Sequence, residues 1–235
     1  MYKLFALGVL LSVFYNVHTK DATAVVPYQA SVRTDDGHIC SGSIISEKWV
    51  ITVAHTLVDL EKDAKLFVVV GTKLVNGTGQ SYPVTDTFVY PKYNATIILK
   101  FDIALLKVEE IKFDSNVKAI ALPKADTKNN VLLTTYGWKT ERDSFQTPYL
   151  QEKYQISIPN KDCKRYYGFI NDFNLCSNDQ ANSTTDADFY RDAGGPVVEK
   201  GKLAGVVSQF FTYLPGLHAR IYRYVSWINK TKSKN

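Results

Sequence analysis

The chain has 235 residues, of which 45% are hydrophobic and 22% are charged, and its formal net charge is +5. These values describe a globular chain that is long enough to bury a substantial core in one or two compact units. They give no support for a protein that binds nucleic acid.

Residues 1–19 predict a cleaved secretory signal. Lys3 precedes an apolar run at 4–14, and a polar stretch then ends at Thr19. The run is too short to span a bilayer, and no later segment could anchor the chain in a membrane. Cleavage after Thr19 is favoured, and cleavage after Ala24 is the alternative. We therefore expect a secreted, extracellular protein of residues 20–235.

Four sequons support the same location, because they would be glycosylation acceptors on a secreted chain. Their asparagines are Asn76, Asn94, Asn182 and Asn229.

Most of the sequence consists of short runs rich in Val, Ile, Thr, Tyr and Phe between turn-forming residues, which is typical of antiparallel strands. The clearest predicted strands are 29–33, 49–54, 66–70, 104–108, 132–136, 155–158 and 203–208. A single helix is predicted over 222–230, where Ile221, Val225 and Ile228 share one face. The pattern favours an all-β barrel or sandwich, with a crossover near 122–130.

Three cysteines leave one unpaired in an extracellular protein. Cys163 and Cys176 are the favoured disulfide, since closing their short loop would stabilise the fold by roughly 3 kcal/mol. Cys40 is then a free thiol. It is either a small buried apolar residue or a handle for a disulfide-linked partner.

The remaining polar residues predict no cofactor and no metal, because His38, His55 and His218 lack the spacing of metal ligands. Three lysines near the carboxyl end indicate a solvated helix end, with a weak anion contact as the alternative. These are Lys230, Lys232 and Lys234.

Several motifs, in chain order, resemble chymotrypsin-like serine proteases of the trypsin family, and the closest similarity is to insect sequences. They are PYQASV at 27–32, CSGSII at 40–45, WVITVAHT at 49–56, DIAL at 102–105, YGW at 136–138, RDAGGP at 191–196 and GVVS at 205–208. The resemblance covers about residues 27–230 and includes the Cys163–Cys176 disulfide. It implies two six-stranded antiparallel β-barrels, at about 27–121 and 131–220, and a terminal helix at about 221–230.

The resemblance places His55 and Asp102 at the positions of the catalytic base and its orienting carboxylate. Ala193 then occupies the position of the serine nucleophile, and a methyl group cannot attack a carbonyl. On this ground the sequence predicts that the protein is not an enzyme and that the triad positions are remnants.

Neighbouring departures from the family pattern lead in the same direction. Arg191 replaces a glycine whose N–H helps to form the oxyanion hole, beside Ala193. Both walls of the primary substrate pocket are altered, at Ala187, Asp188, Phe189, Tyr190, Ser208, Gln209 and Phe210. Thr56 replaces the cysteine that would pair with Cys40.

Asp192 is kept, but the amino-terminal ammonium that would neutralise it is missing, because the chain has no IVGG segment. A buried carboxylate without a cation is costly, so Asp192 must meet Arg191, another donor or solvent. We expect a zymogen-like loop arrangement. The function predicted from these residues is a secreted, catalytically inactive protease homologue that binds protein partners, as a decoy, cofactor or inhibitor in an extracellular protease pathway. The alternative is an active or weakly active serine-type endopeptidase.

Overall fold

The computed structural model describes residues 20–22, 24–61, 63–97, 99–140, 146–179, 192–209 and 214–235. Within these residues, thirteen strands form two sheets. Their bounds are β1 Lys20–Asp21, β2 Gln29–Thr34, β3 Gly37–Ser46, β4 Trp49–Thr52, β5 Phe67–Val70, β6 Gln80–Val89, β7 Ala104–Val108, β8 Leu132–Thr140, β9 Gln146–Ile158, β10 Asn174–Asp179, β11 Pro196–Glu199, β12 Lys202–Gln209 and β13 Gly216–Arg220.

The first sheet is a closed barrel in the order β2-β3-β4-β7-β6-β5, and every neighbouring pair is antiparallel. Runs such as Trp49–Thr52 and Phe67–Val70 suit these strands, since branched and aromatic side chains pack well on a pleated surface. A tight turn joins β2 to β3. Gly37 follows this turn with a φ of +116°, a conformation that side chains disfavour.

The second sheet closes in the order β9-β10-β13-β12-β11-β8, because β8 also pairs with β9. β1 adds a seventh strand at the edge of β9, where Lys20 pairs with Glu152 and Asp21 with Gln151. The prediction of two six-stranded antiparallel barrels is confirmed. The sequence did not predict β1, whose two residues carry no strand pattern.

The helices are few. α1 covers His55–Val58, α2 covers Asn160–Cys163, and 3₁₀ turns occupy Ala95–Ile97 and Ile221–Tyr224. The terminal helix, α3, covers Val225–Lys234. The predicted terminal helix exists, but its first turn is a 3₁₀ turn and it extends four residues beyond 230.

One buried cluster joins the two barrels. It contains Ile51, Val53 and Leu105 from the first barrel together with Leu203 and Val206 from the second. This packing fixes the two barrels against each other, so polar groups at the junction can hold constant distances. Among the described residues, no helix has the length and apolar character needed to cross a membrane.

Candidate active site

His55 and Asp102 meet at the mouth of the first barrel. His55 opens α1 just after β4, and Asp102 precedes β7, the strand that pairs with β4. Nδ1 of His55 lies 2.7 Å from Oδ2 of Asp102, and the two side chains are 20% and 1% exposed. The structure thus brings together the two residues that the sequence placed as base and orienting carboxylate.

Four donors surround the Asp102 carboxylate. Its Oδ1 accepts the backbone N–H groups of Ala54 at 2.8 Å and His55 at 2.9 Å. Its Oδ2 accepts from His55 Nδ1 and from the hydroxyl of Ser208, which lies on β12 in the second barrel. Because a carboxylate only accepts, Nδ1 carries the proton, and Nε2 of the neutral ring keeps a lone pair. That tautomer can take a proton from a nucleophile.

Ser208 therefore has a role that sequence reasoning missed. The sequence placed it in an altered pocket wall, whereas the structure shows it as a donor to Asp102 across the junction of the barrels. The two residues are 106 positions apart, and no local pattern reports such a pairing.

The loop of Ala193 docks between the two barrels. The carbonyl of Ala193 accepts the N–H of Ser41 at 2.8 Å, and the N–H of Gly194 donates to Val207 at 2.7 Å, next to Ser208. Gly194 has a φ of +91°, and a Cβ there would lie 2.0 Å from the carbonyl oxygen of Ser41. Only glycine fits at this point. The loop is therefore held beside the His55–Asp102 pair.

The structure shows which groups donate to Asp192, a question that the sequence left open. Its Oδ1 lies 3.2 Å from Nε2 of His38, and its Oδ2 accepts the backbone N–H of Trp138. The Asp192 side chain is 2% exposed. The sequence had considered His38 only as a metal ligand. Within the described part of the chain, no three His, Cys, Asp or Glu side chains are grouped closely enough to hold a metal ion.

The predicted oxyanion residue and most of the predicted pocket lie outside the described residues. These are Arg191, Ala187, Asp188, Phe189, Tyr190 and Phe210. Of the other pocket residues, Ser208 is buried and Gln209, at the end of β12, is half-buried.

The cysteines form the disulfide and the free thiol that the sequence predicted. Cys163 and Cys176 form a disulfide, and Cys40 is a buried free thiol. Burial raises the pKa of the Cys40 thiol to about 11, although the hydroxyls of Thr52 and Thr56 beside it act in the opposite direction. Its complete burial favours the apolar role over a disulfide-linked partner.

Three of the four sequon asparagines, Asn76, Asn94 and Asn229, are exposed. Asn182 lies outside the described residues. The described part of the chain therefore offers three accessible acceptor side chains.

Comparison with known proteins agrees with this geometry. The family model described as Trypsin matches residues 15–228. Trypsin 5G1 of Aedes aegypti is 29% identical over 217 residues, which cover 87% of this chain and 80% of that protein. Two antiparallel barrels with a His–Asp pair at their junction define the class of a chymotrypsin-like serine peptidase. The chain belongs to the trypsin family.

Family membership corrects one prediction. The sequence predicted that the protein is not an enzyme, because Ala193 carries no nucleophile. That prediction is wrong, since the trypsin family is enzymatic and membership points to a serine peptidase. The prediction rested on Ala193 and on the altered oxyanion, pocket and activation residues around it, whereas the base, its carboxylate and the Ser208 contact are all assembled.

Proposed function

We propose that this trypsin-family chain is secreted and acts by binding protein partners of an extracellular protease pathway at the junction of its barrels. The observation that carries the proposal is the contact of Ser208 with Asp102, which joins the barrels beside His55. The His55 side chain is 20% exposed at this junction. In this proposal a polypeptide segment enters the junction and contacts His55. Decoy, cofactor and inhibitor roles all use such a contact.

The location outside the cell rests on three sequence and structural features. Residues 1–19 have the pattern of a signal peptide, and three sequon asparagines are exposed. The disulfide between Cys163 and Cys176 suits an oxidising compartment. In this proposal the mature chain begins at Lys20, so its terminal ammonium lies in β1 on the edge of β9.

Peptide-bond hydrolysis is the second candidate function, and the His55 tautomer favours it. With Nδ1–H donated to Asp102, Nε2 of His55 can accept a proton from a water molecule. The hydroxide equivalent would attack the scissile carbonyl directly, and His55 would return the proton to the leaving amine as the C–N bond breaks. No acyl-enzyme forms, because the side chain of Ala193 offers no attacking atom. Loss of the usual nucleophile costs about 10⁶ in turnover, so this hydrolysis would be slow.

One experiment separates the two functions. An immobilised Kunitz-type protease inhibitor, which inserts a loop into serine-peptidase clefts, serves as the binding probe, and a fluorogenic peptide library measures hydrolysis. We compare the full mature chain with His55→Ala and with Lys48→Gln, which changes an exposed residue at the opposite end of β4.

Binding of the inhibitor by the wild type supports the first function. Turnover that His55→Ala abolishes and Lys48→Gln leaves intact supports the second. Failure of the wild type both to bind the inhibitor and to cleave any peptide would overturn the proposal.

A further inference from the structure

Arg33 stands at the head of a chain of hydrogen bonds that ends at Asp192. Its Nε donates to the hydroxyl of Ser31 at 2.9 Å. The same hydroxyl lies 2.8 Å from Nδ1 of His38, whose Nε2 contacts Asp192. Ser31 and Asp192 are buried, so no bulk water competes for these contacts.

The protons in this chain can be placed from the chemistry of its two ends. The Asp192 carboxylate only accepts, so Nε2 of His38 carries a proton, and Nδ1 accepts one whenever the ring is neutral. Arg33 only donates, and it occupies one lone pair of the Ser31 hydroxyl. The proton of Ser31 is thereby directed to Nδ1 of His38. Each group in the chain has one defined role.

At the outer end of this hydrogen-bond chain, Arg33 also binds a surface turn. The guanidinium of Arg33 also donates to the carbonyls of Val75 at 2.7 Å and Gly77 at 3.1 Å. These carbonyls flank Asn76, which is exposed. We refer to residues 73–77 as the 73–77 turn.

A second route joins the same turn to Asp192. The indole Nε1 of Trp138 donates to the carbonyl of Lys73 at 3.0 Å, while the backbone N–H of Trp138 donates to Asp192. The Trp138 ring also packs edge-on against His38, with 5.2 Å between ring centroids. The turn and Asp192 are thus linked twice.

We propose that Arg33 is a positioning residue for Asp192: through Ser31 and His38 it couples the exposed 73–77 turn to the loop that carries Ala193. A change in the turn that pulls Val75 or Gly77 away from Arg33 frees the Ser31 hydroxyl and loosens His38 on Asp192. A substituent on Asn76 lies between the two carbonyls that Arg33 holds, so the turn is the surface from which Asp192 can be influenced.

Proton exchange tests the coupling without reference to function. In the mature wild type we expect a slowly exchanging His38 Nε2–H, assigned by its loss in His38→Gln, and a slowly exchanging Trp138 amide. Arg33→Gln should speed both exchanges at least tenfold beyond any change in the amides of β4 and β7, which report global stability. Arg165→Gln, a change at a 78% exposed arginine, is the matched control and should leave all of them unchanged.

Ser31→Ala provides a second variant, because it removes the hydroxyl that links Arg33 to His38 and leaves the hydrogen bonds from Arg33 to the 73–77 turn in place. We expect faster exchange at His38 Nε2–H with little change in the 73–77 amides. A wild-type His38 that carries its proton on Nδ1 would overturn the proposal. So would an Arg33→Gln variant in which the His38 and Trp138 protons accelerate only by the same factor as the β4 and β7 amides.

Discussion

Nε2 of His38 lies 3.2 Å from Oδ1 of Asp192, and the two side chains are 5% and 2% exposed. A carboxylate this deeply buried requires donors, and the trypsin family supplies one from a new amino terminus. Here the donors are a side chain from β3 and the backbone N–H of Trp138. Within the described part of the chain, these two donors satisfy Asp192.

Removal of the His38 ring should therefore destabilise the fold. His38→Ala removes one of the two donors that Asp192 has among the described residues. We expect the free energy of unfolding to fall by about 2 kcal/mol, as for the loss of a hydrogen bond to a charged group. Guanidinium unfolding of the mature chain, followed by Trp fluorescence, measures this change.

Lys48→Gln is the control for this prediction. It removes the ion pair between Lys48 and Glu110, in which Nζ and Oε2 are 3.8 Å apart and the side chains are 55% and 72% exposed. Such exposed pairs contribute about 0.5 kcal/mol to the free energy of unfolding. Equal losses in the two variants would show that the His38–Asp192 contact contributes no more than a surface pair.

Much of the fold could be predicted because its strands carry local patterns. The predicted strands at 29–33 and 104–108 match β2 and β7 to within a residue, and both are rich in apolar side chains that alternate or run together. β1 could not be predicted, since its pairing with β9 depends on a surface 130 residues away in the sequence. The short helix at Asn160–Cys163 is likewise too brief to show a helical period.

The sequence predicted a residue of the site only where that residue lies in a motif of the family. His55 and Asp102 lie in motifs of the family, and the structure places them in contact. The His38–Asp192 pair spans 154 positions and the Trp138–Asp192 pair spans 54, so neither leaves a local pattern. The prediction of a non-enzyme failed in the opposite way, since it gave Ala193 and the altered residues around it more weight than the assembled His55–Asp102 pair.

Cys40 should be unreactive in the folded protein. Burial raises the pKa of its thiol to about 11, so little thiolate is present at pH 8, and the side chain is fully buried. We expect no reaction with a thiol-specific disulfide reagent under native conditions and one reacting thiol per chain in concentrated guanidinium. A native thiol that reacts at the rate of the unfolded one would contradict the burial of Cys40.

A new disulfide should form where the sequence has lost one. The Thr56 hydroxyl lies beside Cys40 and is buried with no hydrogen-bond partner among the described residues. Thr56→Cys should pair with Cys40 and raise the free energy of unfolding by about 3 kcal/mol, the value for a loop of this size. Mass spectrometry measures the loss of two hydrogens, and guanidinium unfolding measures the stability.

The control for this prediction is Cys40→Ala combined with Thr56→Cys, which carries the new thiol but no partner. It should show no gain in stability under oxidising conditions. Persistence of two free thiols in Thr56→Cys would show that the two side chains do not reach each other.

His218 should make the fold sensitive to acid. It is fully buried, its Nε2 lies 2.7 Å from the Ser177 hydroxyl, and burial, together with a smaller effect of Lys153, lowers its pKa to about 3. In the unfolded chain the ring titrates near pH 6.5. Between these two values the unfolded state binds one more proton than the folded state. The contribution of His218 to the free energy of unfolding is therefore fully present above pH 6.5. It falls by about 1.4 kcal/mol per pH unit as the pH is lowered from 6.5 towards 3.

His218→Gln tests this dependence, because an amide can still bond to Ser177 but does not titrate in this range. The stability difference between wild type and variant should shrink or reverse by about 3 kcal/mol between pH 7 and pH 4, measured by guanidinium unfolding at several pH values. Ser177→Ala removes the hydrogen bond and keeps the ring, so its cost should stay nearly constant over the same range. A pH-independent difference between the wild type and His218→Gln would show that this ring takes up its proton equally in the folded and unfolded chains.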